Sequence, residues 1–227
     1  MGGGGAGSGG FPGLQGAEAH LHPVRRRYQF RTLRGTGRPT PLPGLCRRKL
    51  LQSPVIRYQI TNGLGTSLLS PSADFLQIRE PQLTPRDLAT FVRRALQLNL
   101  PGRILVNDRL DIALAAGAAG VHLKSRAISP QLVRNLVPKG FLITLACHNE
   151  EDVLAAFGAD YALISPVFPP LSKADTRTPL GLRELTRLAR ISPVPLLALG
   201  GINEANAASC ISAGAIGVAG ISLFPEV

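Results

Sequence analysis

Tryptophan is missing from this chain, and aromatic residues make up only 5% of it. With so few flat aromatic surfaces no stacking platform for single-stranded nucleic acid is expected, which argues against a nucleic-acid partner. Cysteine is scarce as well. Cys46, Cys147 and Cys210 are odd in number and form no CxxC pair. That excludes a disulfide scaffold and a thiolate zinc knuckle, and it fits a reducing compartment such as the cytoplasm. No apolar run reaches the roughly eighteen residues of a spanning helix, so no membrane partner is expected. What remains is 227 residues, 44% hydrophobic and 17% charged, a balance that suits a packed core.

Acidic residues are nearly lacking from the first 54 positions. Nine basic residues, from Arg25 to Lys49, face Glu18 alone, and this stretch carries +8 of the chain's +11. Twelve of the 25 glycines and six of the 19 prolines lie there too, with no apolar periodicity. Residues 1–54 therefore read as a Gly/Pro/Arg-rich disordered tail. It has no apolar signal core; a polyanion-binding arm, a targeting segment and a dispensable extension are its three readings.

From Val55 to Val227 the pattern is different. Short apolar runs recur at Ile56–Thr61, Phe75–Arg79, Ile104–Asn107, Gly120–Leu123, Leu142–Cys147, Tyr161–Ser165, Leu196–Gly200 and Ile216–Ala219. Helix starts fall between them. Thr84-Pro85-Arg86-Asp87 and Ser129-Pro130 supply a capping hydroxyl and a proline at the first helical position. Asn149 before Glu150, Glu151 and Asp152, and Asn203 before Glu204, put negative charge at a helix N-terminus. Strand–helix alternation argues for a parallel sheet, and eight strands argue for a closed (β/α)8 TIM barrel. The first and last outer helices should be shortened, because too few residues separate the first two strands and little chain follows Gly220. A homo-oligomer or the docked tail would cover the apolar strand faces so exposed.

In such a barrel the reactive groups gather at the C-terminal ends of the strands. Those ends carry Gln77 and Arg79, Asn107 and Asp108, His122, Cys147 and His148, Gly200 and Gly201, and Gly220-Ile221-Ser222; the loop after the sixth strand carries Ser172 and Lys173. Glycines after strands seven and eight let backbone N–H groups approach a phosphate beside a helix N-terminus. Arg79 at a barrel mouth calls for an anion or an acidic partner. Other positions have plainer readings. His122 reads as structural, Asp108 could cap the following helix, and Cys147 should face away from its neighbour His148.

The stretches QIRE, LVNDRLDIALAAGAAGVHL, CHNEED, GADYALISPVFPPLSK, PLGL, LALGGI and GVAGIS, in this order over residues 56–224, resemble the thiamine phosphate synthase/TenI superfamily. The resemblance implies a ligand, a phosphorylated thiazole, and two activities. A synthase joins hydroxymethylpyrimidine diphosphate to thiazole phosphate with Mg2+ and releases pyrophosphate. A TenI-type enzyme tautomerises a thiazole carboxylate phosphate and needs no metal. In the synthase pattern Arg79 and Asn107 match diphosphate contacts, Asp108 one metal carboxylate, and Lys173 the lysine of the loop after the sixth strand. Gly200, Gly201, Gly220, Ile221 and Ser222 match the phosphate cradle. Four positions depart from it: Pro81 replaces a lysine, Ala127 the second metal carboxylate, Ala146 a hydroxyl residue and Pro170 a threonine. The TenI pattern retains its proton-shuttling histidine at His148, whose ordinary pKa of about 6.5 suits acid–base work. The expectation is therefore TenI-type tautomerisation by His148, with the synthase second and a non-catalytic phosphate-binding protein third.

Overall fold

Side chains along each central strand alternate between two apolar environments, which is why the sequence shows short unbroken apolar runs rather than polar alternation. The computed structural model describes residues 55–63, 70–169, 177–221 and 223. The tail at 1–54, and with it Cys46, lies outside them, as do Lys173, Ser172, Pro170 and Ser222.

Eight parallel strands close on themselves: β1 Ile56–Ile60, β2 Phe75–Ile78, β3 Arg103–Asn107, β4 Gly120–Leu123, β5 Leu142–Cys147, β6 Tyr161–Ile164, β7 Leu196–Leu199 and β8 Gly217–Gly220. β8 returns to β1 with Ile56 opposite Gly217, so no strand edge is left open. Each strand lies within a residue or so of its expected span. The structure is the (β/α)8 barrel that the alternation implied.

One set of strand residues fills the barrel. Tyr58, Ile60, Phe75, Leu105, Leu142, Leu163, Leu197 and Ala219 make this inner cluster. The alternate set, including Leu76, Val106, Val121, Ile143, Ile164, Ala198 and Val218, faces outward against the helices. Glycine is needed where the floor is tightest. A Cβ on Gly217 would sit 2.4 Å from the Ile56 carbonyl oxygen, and one on Gly120 2.4 Å from that of Leu142.

Six helices occur among the described residues: α1 Pro85–Gln97, α2 Leu110–Ala116, α3 Pro130–Arg134, α4 Glu150–Leu154, α5 Gly181–Ile191 and α6 Glu204–Ser212. The described residues between β1 and β2, and after β8, contain no helix. All four expected N-caps form. The Thr84 and Ser129 hydroxyls accept from Asp87 N and Leu132 N, Asn149 Oδ1 accepts from Asp152 N, and Asn203 with Asn206 makes a reciprocal capping box. Among the described residues no helix is long and apolar enough to cross a membrane.

Candidate active site

Above the apolar floor the inward positions turn polar. Tyr58 Oη lies 3.2 Å from Thr144 Oγ1, which lies 2.8 Å from His122 Nδ1, so β1, β5 and β4 are tied through the barrel centre. Burial is the main cause that drives the His122 pKa down to about 4, with the Asp108 carboxylate opposing and Arg79 and His148 assisting. His122 is thus neutral near pH 7, held by packing and a hydroxyl. Burial also pushes the Tyr58 phenol well above its ordinary range.

The next layer belongs to β2 and β3. Gln77 Nε2 donates to Asn107 Oδ1 at 3.0 Å. Gln77 is 1% exposed, and its Oε1 has no hydrogen-bond partner among the described residues. Such a buried acceptor costs about 1–3 kcal/mol unless something else satisfies it. Arg79 is exposed at the mouth, where its Nη1 donates to Asn62 Oδ1 at 3.2 Å. Its backbone N–H donates to Thr61 Oγ1 at 2.9 Å, so β1 and β2 set its position.

Asp108 follows β3 at φ 54°, in the left-handed region that side chains seldom occupy. Its N–H donates to the His122 carbonyl at 2.7 Å, and its Oδ2 pairs with Lys124 Nζ at 2.5 Å. It does not cap α2. Arg109 holds the cap position there, with no side-chain cap bond. The helix-cap reading of Asp108 is thereby replaced by an ion pair across the ends of β3 and β4.

His148 lies at the end of β5 and is half-buried. Its backbone N–H donates to Asp152 Oδ2 at 2.9 Å, and its Nδ1 approaches the Ser165 carbonyl at 2.9 Å. The Arg177 guanidinium lies against both ring nitrogens, 2.8 Å from Nε2. Cys147 points the other way, as expected. It is fully buried in the outer layer with Sγ against the Asp152 carbonyl, and burial pushes its thiol up to about 12. A neutral thiol there is no nucleophile.

Gly200 and Gly201 turn the chain from β7 toward α6 at φ 92° and 62°. A Cβ on Gly201 would lie 2.4 Å from the Pro169 carbonyl oxygen, and one on Gly200 2.7 Å from Pro166 Cα. The glycine pair therefore admits the loop after β6 as well as offering bare backbone to a ligand. Gly220 ends β8 and is half-buried beside the exposed Ile221. Arg79, Asn107, Asp108, His148, Gly200, Gly201, Gly220 and Ile221 thus all stand at the C-terminal end of the barrel; Lys173 and Ser222 lie outside the described residues.

Tyr58, Thr144, Lys124 and Arg177 were missed in the sequence. Thr144 is an inward position of β5, and a threonine among apolar neighbours was a readable signal. Lys124, two residues after His122, stands beside Asp108 only because β3 and β4 are neighbours.

The Mg2+ implied by the resemblance to a synthase can be tested against these residues. Mg2+ wants one or two carboxylates with octahedral oxygen donors. The Asp108 carboxylate already holds the Lys124 ammonium, and Ala127 stands at the place of the second acid. Among the described residues no group of three or more His, Cys, Asp or Glu side chains is placed to hold a metal ion. The residues present do not fit a two-carboxylate Mg2+ site.

Comparison with known proteins gives a consistent result. The sequence profile described as thiamine monophosphate synthase matches residues 61–224. A protein of Geobacter sulfurreducens named putative thiamine-phosphate synthase is 42% identical over 151 residues, covering 65% of this chain and 71% of the relative. The thiamine-phosphate synthase of Methanoculleus marisnigri is 42% identical over 154 residues, covering 66% of this chain and 73% of the relative. Among solved structures, thiamine phosphate pyrophosphorylase from Pyrococcus furiosus superposes with a TM-score of 0.64 at 28% identity, covering 78% of this chain and 87% of that one. This chain belongs to the thiamine monophosphate synthase/TenI family and is an enzyme.

Proposed function

We propose that this member of the thiamine monophosphate synthase/TenI family is a thiamine-phosphate synthase, the activity by which its relatives are named, rather than the tautomerase expected from the motifs. In that reaction the carbon–oxygen bond to the diphosphate breaks and pyrophosphate leaves with the electron pair. A carbon–nitrogen bond to the thiazole ring nitrogen forms at the same carbon, and no oxidant or proton is needed for balance. The observation that carries the reading is the convergence of Arg79, Asn107 and Asp108 with the Gly200–Gly201 turn at one barrel mouth. Arg79 offers a fork of donors to a phosphate, and fixed positive charge near a departing anion lowers the barrier. Gln77 Oε1, unpartnered among the described residues, offers an acceptor to an N–H group of a heterocycle. Gly200, Gly201 and Gly220 offer backbone to the thiazole phosphate, with Ile221 and Ser222 assigned to phosphate contact, and Lys173 to the loop after β6, from the family pattern. The substrates are small phosphorylated molecules, and a cytoplasmic site of action accords with the cysteine content.

The tautomerase remains the second reading because His148 stands at the same mouth with its Nδ1 held by the Ser165 carbonyl. One set of assays separates the two. Full-length protein given hydroxymethylpyrimidine diphosphate and thiazole phosphate should form thiamine phosphate, followed by chromatography, and Arg79→Ala should slow it by about 10²-fold. Aromatisation of the exocyclic-alkene thiazole carboxylate phosphate alone, lost in His148→Ala, would instead establish the tautomerase.

A further inference from the structure

Lys124 has no part in the synthase pattern, yet its ammonium sits on one of the two carboxylate oxygens of the residue that the pattern makes a metal ligand. Its ammonium lies 2.5 Å from Asp108 Oδ2 at the ends of neighbouring strands. The Asp108 backbone, at φ 54° with its N–H on the His122 carbonyl, roots the carboxylate beside the end of β4. Lys124 is 65% exposed and Asp108 30%, so the pair opens to the mouth rather than into the core. An ammonium has three donors, and one carboxylate oxygen takes a single donor. Among the described residues the pair with Asp108 is the contact the ammonium makes, which leaves its other donors for an anion above the barrel.

We propose that Lys124, oriented by Asp108, is a cation of the diphosphate site and does the electrostatic work that a two-carboxylate metal site would otherwise do. Asp108 is then a positioning residue that aims the ammonium, and not a metal ligand. Arg126, which pairs with Glu151 at 3.5 Å and approaches Asp152 at 3.9 Å, is turned toward α4 and is not part of this device. The inference rests on the reading that a diphosphate is the leaving group here.

Inorganic pyrophosphate is a direct probe. Calorimetric titration of the full-length protein in EDTA should show binding of similar affinity to that in Mg2+. Lys124→Met should weaken the metal-free binding by about tenfold, the loss of one charge-assisted hydrogen bond, and Lys124→Arg should restore most of it. An unchanged melting temperature in Lys124→Met would show that the loss is not unfolding. Binding that occurs only with Mg2+, or a Lys124→Met protein that binds as tightly as the wild type, overturns the proposal. If pyrophosphate binds in EDTA in a Lys124-dependent manner while no thiamine phosphate is ever formed, the anion site stands and the synthase reading falls.

Discussion

At the scale of single residues, the barrel interior shows how one environment sets two histidines apart. His122 is 6% exposed, bonded to Thr144 and depressed to about 4, whereas His148 is half-buried against Ser165 and Arg177. The depressed value has a consequence for stability. Between the ordinary histidine pKa of about 6.5 and the folded value, the unfolded chain binds a proton that the folded chain refuses, so stability falls as pH falls through this window. Urea unfolding should give a stability about 2 kcal/mol lower at pH 5 than at pH 7.5, and His122→Gln should flatten that difference. A wild-type protein equally stable at both pH values would mean that the imidazole is not desolvated as its surroundings imply. His122 was readable as structural from the sequence, but its meeting with Tyr58 and Thr144 was not. They stand on β1 and β5, and only closure of the barrel brings three inward side chains from separate strands together.

At the scale of elements, local chemistry was the most legible part. Thr84, Ser129, Asn149 and Asn203 each accept the backbone N–H that an N-cap should, because a cap depends on three or four consecutive residues and little else. The contacts between elements were hidden. Arg134 at the end of α3 donates to the Phe141 carbonyl at 2.6 Å and to Asp160 Oδ2 at 2.7 Å, and the same oxygen accepts from Ile143 N at 2.8 Å. This clamp joins α3, β5 and the start of β6 at the end of the barrel remote from the mouth, where side chains serve stability. Asp160→Ala would leave the Ile143 N–H without its acceptor and take one partner from Arg134, which keeps the Phe141 carbonyl. It should cost about 2 kcal/mol in denaturant unfolding, moderated by the partial exposure of the pair, and leave pyrophosphate affinity unchanged. A change in affinity would show that strain at the barrel floor reaches the mouth.

At the scale of the whole molecule, the core lies in the barrel and the sheath around it, and the charge excess lies in the tail at residues 1–54. If the tail is dispensable, as its composition suggests, a chain starting at Val55 should melt within a degree or two of the full-length protein and bind pyrophosphate equally. Such a small difference corresponds to well under 1 kcal/mol for a domain of this size. A clear drop in melting temperature would show that the tail covers an apolar face of the barrel. The sequence by itself determined the eight strands, their helix caps and the family, because each is written in runs of a few consecutive residues or in an ordered set of motifs. Tertiary structure alone decided which carboxylate meets which cation. Asp108 and Lys124 are sixteen positions apart, and nothing in that spacing predicts contact; the parallel register of β3 and β4, with Asn107 opposite His122, brings them to one ion pair.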